Sequence, residues 1–329
     1  MEKLKVGVIG TGHLGKIHTK LLKEVETCEL IGVYDIDTEK AKTVAEEFGV
    51  KSFENVDELL KSVDGVSIVA TTSAHYDLVK KAFTENVHVM VEKPITATIA
   101  EAEEIVKLAK EKNLKLQVGH IERFNPALLS LEKFNLNPMF VQTDRLAQFN
   151  PRGTDVAVVL DLMIHDIDII LSLVKSEVVD IKASGVPVVS ETIDIANARL
   201  EFANGAVANV TASRISQKKM RKMRMFQKEG YIALDFNDGV AEIYRLVDTK
   251  EMDENHFLSF GEMGVGEKKR FVVYEQPEIK QVNALKYELE LFADAVLNNK
   301  RPVVDGNDGL KALKVADEII NKIEESKIV

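Results

Sequence analysis

The stretch Leu4-Lys5-Val6-Gly7-Val8-Ile9-Gly10-Thr11-Gly12-His13-Leu14-Gly15 decides the fold of the first part of the chain. Its apolar run reads as a buried strand, stops at a glycine, and leads into a helix predicted over about Gly12–Val25. Gly10, Thr11, Gly12, His13, Leu14 and Gly15 fit G-x-G-x-x-G. In that pattern glycines permit a tight turn and let the backbone approach a pyrophosphate at the helix N-terminus. The next predicted strand, Glu29–Tyr34, runs into Asp35, 20 residues beyond Gly15. A carboxylate there can hold the adenosine ribose hydroxyls and would repel a 2′-phosphate. The next cation is Lys40 and no arginine is at hand, so the spacing favours NAD over NADP.

Outward from this motif, the pattern predicts helices over 38–48, 56–62, 74–85 and 99–113, alternating with strands over 51–53, 65–70, 88–92 and 115–119. Strands separated by helices of this length form βαβ units. Residues 1–121 are therefore expected to be an α/β Rossmann domain, a doubly wound parallel sheet. After Arg123 the rhythm changes. Strand-like segments at 140–149, 178–189, 196–202, 206–213, 221–226, 231–235 and 240–246 are separated by turns such as Ala203-Asn204-Gly205 and Asn237-Asp238-Gly239. Residues 122–329 are expected to be an α+β domain with a mainly antiparallel, open-faced sheet, entered by a helix over 156–173 and closed by helices over 283–298 and 308–325. Met252–Gly266, rich in glycine and acid, reads as a loop. An open sheet face tends to be covered by a second copy, so a homodimer or homotetramer is expected.

With 329 residues, 45% hydrophobic and 29% charged, the chain can bury two cores. Its 43 Lys and Arg against 53 Asp and Glu give a net charge of −10, which argues against a nucleic-acid or anionic-membrane binder. No run approaches the roughly 18 apolar residues of a membrane span, and no signal-peptide pattern opens the chain, so a cytoplasmic protein is expected. Cys28, the single cysteine, can make neither an internal disulfide nor a Cys-rich zinc site and reads as a small filler. All ten arginines lie from Arg123 onward. Bidentate recognition of phosphate or carboxylate must come from that part of the chain.

Two further patterns carry chemistry. Glu92-Lys93-Pro94 falls at the end of a predicted parallel strand, the edge where doubly wound sheets bind ligands, and the proline restricts how Lys93 is presented. Asp161-Leu162-Met163-Ile164-His165 puts a carboxylate and an imidazole four apart on one helix face, a pair able to remove a proton from an alcohol during hydride transfer. A metal site of Asp161, His165 and Asp168 is the rival reading, but it lacks a recognised ligand spacing, and no metal is expected. A solvated polar helix face is the plain alternative. His13 and His18 read as flanking the cofactor helix without chemistry, His120 as able to touch either ligand, and His256 as exposed.

In that order, the glycine loop, the acid after the second strand, Glu-Lys-Pro and Asp-x-x-x-His resemble the glucose–fructose oxidoreductase and inositol dehydrogenase family, Gfo/Idh/MocA. The resemblance runs to the ending Pro302-Val303-Val304-Asp305-Gly306-Asn307-Asp308-Gly309. It implies that Lys93 orients the reacting hydroxyl and lowers its pKa, that His165 is the acid/base, and that Asp161 binds substrate or supports His165. It also implies that Thr71, Thr72, His75 and Glu92 line the nicotinamide side. The glycine pair many members carry before the Asp-x-x-x-His helix is replaced here by Val156-Ala157-Val158-Val159-Leu160.

Val118–Pro126, Arg152-Gly153-Thr154-Asp155 and the run Ala212–Lys228 are similar to the branch containing UDP-N-acetylglucosamine 3-dehydrogenases, which prepare the sugar for 3-amination on the way to lipid A. The implied substrate is a nucleotide sugar, and Arg123, Asn125, Arg152 and Arg214 are its expected contacts beside Asp161. A diphosphate calls for such cations, whereas a free inositol does not. Strand alternation limits the run Lys218–Lys228 to at most half its cations on one ligand, and a solvated or subunit-facing role stays open for it. Three functions follow. The first is an NAD-dependent dehydrogenase of a nucleotide sugar, the second a dehydrogenase of a free sugar or polyol, and the third a non-catalytic NAD-binding redox sensor.

Overall fold

The structure, a computed structural model, describes residues 3–150, 154, 156–248, 258–264 and 269–326. The first unit begins β1 (Leu4–Ile9), α1 (His13–Glu24), β2 (Cys28–Tyr34), α2 (Thr38–Phe48), β3 (Lys51–Phe53), α3 (Val56–Leu60), β4 (Gly65–Ile68), α4 (Thr72–Thr84), β5 (His88–Glu92), α5 (Ile99–Glu111) and β6 (Leu116–Gly119), followed by a 3-10 turn at Ile121–Phe124. Its strands pair in the order β3-β2-β1-β4-β5-β6, all parallel. The order reverses between β1 and β4, which opens a crevice at the carboxyl ends of those strands. Local chemistry sets the helix ends. The Asp37 carboxylate accepts the Lys40 N–H at 3.2 Å to start α2, which stops at Gly49 with φ 63°, and Thr98 and Glu101 form a reciprocal capping box on α5.

The second unit contains α6 (Pro126–Leu129), β7 (Phe140–Leu146), a π-helical turn at Val159–Met163 that continues as α7 (Ile164–Val174), β8 (Val178–Val186), β9 (Ile195–Phe202), β10 (Val207–Ser213), β11 (Met220–Gln227), β12 (Gly230–Asp235), β13 (Val240–Val247), β14 (Leu258–Met263) and β15 (Arg270–Glu275); α8 (Ala284–Leu297) and α9 (Gly306–Ser326) follow. The sheet order is β14-β15-β13-β12-β11-β7-β10-β9-β8, antiparallel throughout except for the parallel β7/β10 pair. One face buries Val141, Thr143, Arg145, Met223 and Met225, and α7 lies on it through an Arg145–Asp166 ion pair. The opposite face carries a file of aromatic rings, Phe140, Phe226, Tyr231, Tyr244, Tyr274 and Phe260, with neighbouring centroids 4.8 to 5.9 Å apart. Among the described residues no helix is long and apolar enough to cross a membrane.

Two expectations change. The chain divides not at a single point after residue 121 but into one unit of the residues up to Phe124 with Val282–Lys314, and another of Asn125–Gln281 with the residues from Val315. The reason is apolar: Leu285, Leu289 and Phe292 of α8 complete the core that holds Leu4, Val6 and Leu22. Part of the expected loop at 252–266 is strand β14, paired with β15, which the sequence reading omitted; residues 252–257, 265 and 266 of that loop, His256 among them, lie outside the described residues. Gly261, at φ 94°, sits at the register shift between Ser259 and Glu262, so the glycine that suggested a loop marks a bulge in an edge strand.

Candidate active site

In the first unit, a cleft of about 780 Å³ opens at the carboxyl ends of β1, β2, β4 and β5, lined by Gly10, Gly12, Leu14, Asp35, Glu92 and Lys93, with His13 and Thr71 beside them. The three glycines have distinct jobs. Gly10 has φ 94°, and a Cβ there would lie 2.6 Å from the Val69 carbonyl; one on Gly15 would lie 1.9 Å from that of Gly10. Gly12 is different, because a Cβ there meets nothing within 4 Å and would project into open space. Gly12 also caps α1 without a side-chain hydrogen bond, which leaves the first N–H groups of the helix to an anion.

Asp35 is fixed at the far side of this cleft. Its Oδ2 accepts the Thr11 N–H at 2.6 Å and the Thr11 hydroxyl at 3.0 Å, and its Oδ1 accepts the Asp37 N–H at 2.9 Å. Thr11 itself is buried and reaches the cleft only through this carboxylate. Ile36, 91% exposed, lines the same cleft with an apolar side chain, as Leu14 does. The sequence reading passed over it, although an isoleucine between Asp35 and Asp37 was the available signal.

The Glu92-Lys93-Pro94 turn, with a cis Lys93–Pro94 peptide, is held from two sides. His75 is buried, with Nδ1 3.0 Å from the Pro94 carbonyl and Nε2 3.1 Å from that of Ala70. Burial pushes its pKa down, against the opposing pull of those carbonyls. His75 therefore supports the turn, and Thr72, at the start of α4, is half-buried outside the cleft lining. On the other side His18 is fully buried, with Nδ1 2.9 Å from the Ser67 hydroxyl and Nε2 3.2 Å from Glu92 Oε1. The Ser67 hydroxyl and the Glu92 carboxylate thus face the two ring nitrogens of His18. A Cβ on Gly119 would come within 2.7 Å of the same carboxylate oxygen. His18, read from sequence as without chemistry, thus anchors the residue that precedes Lys93.

In the second unit, Asp161 lies in the π turn and His165 in the first turn of α7, both half-buried. A π turn holds an extra residue and recurs where a helix carries function. Asp161 lines a cavity of about 570 Å³ together with Gln148, Arg214, Lys219 and Arg221. The residues next to His165 are structural. Asp166 receives Arg145 Nε at 2.7 Å and Nη2 at 3.0 Å, with side chains 2% and 3% exposed, and Asp168 is buried. Among the described residues no group of three His, Cys, Asp or Glu is placed to hold a metal ion.

The cations assigned to substrate from sequence stand in different places. Arg214 is 4% exposed; Nη2 donates to the Val156 and Ile193 carbonyls, and Nε lies 3.6 Å from Asp194 Oδ1. Burial works to raise the Asp194 carboxyl, but the Ser190 hydroxyl and the N–H groups of Ser190, Val188 and Val189 hold it well below the usual carboxylate range. Arg214 therefore bolts the segment before the π turn to the residues that lead into β9, while also lining the cavity. Asn125 caps α6, accepting the Ala127 N–H at 3.1 Å and donating to the Phe236 carbonyl at 3.1 Å. Arg123, in the 3-10 turn, partly offsets the upward push of burial on Asp308. Arg152 lies outside the described residues. His120 is buried, and burial pushes the Cys28 thiol up to about 11, as suits a filler.

Comparison with known proteins settles the lineage. Residues 4–120 match an oxidoreductase family with an NAD-binding Rossmann fold, GFO/IDH/MocA, and residues 137–233 match the GFO/IDH/MocA C-terminal domain. The UDP-N-acetylglucosamine 3-dehydrogenase of Acidithiobacillus ferrooxidans is 36% identical over 326 residues, 98% of each chain. The chain belongs to the Gfo/Idh/MocA oxidoreductase family. A solved structure of that Acidithiobacillus enzyme superposes with a TM-score of 0.88 at 34% identity over 99% of both chains. The myo-inositol 2-dehydrogenase of Thermotoga maritima is 25% identical, covering 99% of this chain and 98% of its own.

As a Gfo/Idh/MocA member the protein is an NAD-dependent dehydrogenase acting on CH–OH groups. The cleft fits that cofactor: the open space at Gly12 and the uncapped start of α1 suit the pyrophosphate, and Asp35 suits the ribose hydroxyls. When bound, NAD supplies the hydride acceptor, and the protein contributes position and proton transfer.

Proposed function

We propose that this dehydrogenase oxidises a ring hydroxyl of a nucleotide sugar, most specifically the 3-hydroxyl of UDP-N-acetylglucosamine, in the cytoplasm and ahead of a transamination of the kind that leads to lipid A. The observation that carries the reading is end-to-end similarity to an enzyme named for that reaction, with 36% identity over 98% of each chain. In this reading Lys93 orients the reacting hydroxyl and favours its ionisation, His165 takes the proton, and Asp161 accepts hydrogen bonds from sugar hydroxyls. The His18–Glu92 and His75–Pro94 contacts keep Lys93 on the edge of the cofactor cleft, so its ammonium need not be reorganised when substrate arrives.

The exposed aromatic face, with Phe226 41% and Phe260 64% exposed, supports assembly through this sheet into a homodimer or homotetramer, which light scattering on the purified protein would measure. The test of the activity is NADH formation with NAD and a panel of UDP-N-acetylglucosamine, UDP-glucose, glucose and myo-inositol, with a ketone trap to draw the equilibrium forward. Turnover of UDP-N-acetylglucosamine, abolished by Lys93→Met with NAD still bound, is the expected result. Turnover confined to glucose or inositol would move the protein to the polyol reading, and NAD binding without turnover of any hydroxyl compound would make it a sensor.

A further inference from the structure

Asp161 takes its place from a short strap of chain that other residues hold. Val156-Ala157-Val158-Val159-Leu160 leads into the π turn without a glycine, and its three valines are stiff at χ1. Val158 and Val159 are buried. Along this strap the Val158 N–H donates to the Ile193 carbonyl at 2.8 Å, and the Val156 carbonyl accepts from Arg214 Nη2. The Thr192 hydroxyl lies 3.2 Å from the same Val156 carbonyl and 3.0 Å from that of Thr154. Between the two held residues stands Ala157, whose carbonyl accepts the Leu160 N–H at 3.0 Å and the Asp161 N–H at 3.2 Å. A single residue therefore links the clamp to the backbone of Asp161.

The clamp is itself preorganised. Residues 187–194 join β8 to β9, and the buried Asp194 carboxylate gathers that loop. Its Oδ2 accepts the N–H groups of Val188 and Val189 at 2.7 Å and of Ser190 at 2.9 Å, while Oδ1 accepts the Ser190 hydroxyl at 2.6 Å. The Ser190 hydroxyl is also 3.2 Å from that of Thr192, so the Thr192 hydroxyl is shared between the loop and the strap. We propose that Thr192 is a positioning residue for Asp161, setting through the Thr154 and Val156 carbonyls where the π turn begins and so where the carboxylate meets the hydroxyls of the sugar. This rests on the reading above that Asp161 accepts hydrogen bonds from those hydroxyls. Such bonds depend steeply on distance and angle, so a small shift at the start of the turn is felt in substrate binding. Thr192 is not among the described residues lining the cavity of Asp161, and it acts through the strap alone.

The experiment uses the full-length protein with NAD and varied UDP-N-acetylglucosamine. It compares Thr192→Val, which keeps the shape and removes the hydroxyl, with Thr192→Ser, which keeps the hydroxyl. Thr192→Val is expected to raise KM for the sugar by about 3- to 10-fold, the worth of one hydrogen bond, with KM for NAD unchanged, and Thr192→Ser to restore most of the loss. Arg214 and Ile193 still hold the strap in Thr192→Val, so the variant should fold. In an Asp161→Ala background Thr192→Val should add less than about twofold, since the group it positions is gone. Deuterium exchange read by mass spectrometry should quicken in peptides spanning 157–165 of Thr192→Val and stay unchanged over β1 and α1. Glu191→Ala, an exposed change in the same loop, should match the wild type throughout. A Thr192→Val protein with the wild-type KM would overturn the proposal, as would an effect that multiplies in full with that of Asp161→Ala, or a Thr192→Ser protein that behaves as Thr192→Val. A lowered melting midpoint with unchanged KM would likewise leave Thr192 a structural residue only. If the wild type oxidises only glucose or myo-inositol, the nucleotide-sugar reading falls, while the same variants read on that compound still decide the role of Thr192. If it oxidises none of the panel, faster exchange over 157–165 upholds the seat of Asp161 and unchanged exchange overturns it.

Discussion

The Arg145–Asp166 pair sets the seat of the helix that carries His165. Its two hydrogen bonds, 2.7 and 3.0 Å, join β7 to α7 with both side chains almost wholly out of water. Removing one partner leaves the other as a buried charge with its main counter-charge gone. That costs about 3–5 kcal/mol, well above the 0–1 kcal/mol typical of an exposed pair. For a unit of this size each kcal/mol moves the melting midpoint by about 2–4 °C, so Asp166→Leu or Arg145→Met should lower it by roughly 10 °C. The double variant removes both charges, and apolar replacements can fill the space. It should therefore be less unstable than the sum of the singles by about 1–3 kcal/mol. Urea denaturation of the four proteins, with near-ultraviolet dichroism as the probe, closes the cycle. Single variants that lose less than about 1 kcal/mol, or strict additivity, would refute the argument that this pair is a desolvated lock.

Other outcomes follow from the first unit. Gly12→Ala should fold with an unchanged midpoint yet lose NAD affinity, since its methyl group projects into open space, whereas Gly15→Ala should lower the midpoint because its Cβ would collide with the Gly10 carbonyl; equal effects on both readouts would contradict this division. His18→Leu strips a buried partner from Ser67 and Glu92 and should cost about 1–3 kcal/mol while weakening NAD binding, and normal binding with normal stability would remove His18 from the anchoring role. The pKa values of His75 and His88 are both lowered, in each case chiefly by burial, from the ordinary histidine value of 6.5. Below that value the unfolded chain takes up protons that the folded unit refuses, so stability rises with pH through this range. The midpoint should drop as the pH falls from about 7.5 to about 5.5, and a flat or opposite trend would count against neutral, buried rings.

The parallel half was legible because its signals are local. A glycine turn, an acid after β2 and apolar strands between amphipathic helices each act within a few residues, and their boundaries moved little. The cofactor cleft was legible for the same reason. What the sequence concealed depends on distant partners. His18 meets Ser67 and Glu92 across 49 and 74 positions, and nothing adjacent to His18 announces either. Arg214 was offered to a phosphate by its residue type, yet the Val156 and Ile193 carbonyls and Asp194 claim its guanidinium. Arg221 and Lys222 differ by one position and face opposite sides, a distinction that needs the register of β11 on β7. Strand β15 did carry a signal in Phe271-Val272-Val273-Tyr274, outweighed by the glycines and charges around it.

The return of α8 to the first unit bears on how the protein is made. Phe292 lies against Gly65 and shares a core with Leu4, so β1 leaves the ribosome well over 200 residues before the helix that completes its cover. The nascent nucleotide-binding sheet must therefore persist with an exposed apolar flank during synthesis, a window in which chaperone capture or aggregation competes with folding. An expression fragment ending near residue 121 would keep the glycine loop and Asp35 but expose the apolar surface that Leu285, Leu289 and Phe292 normally cover.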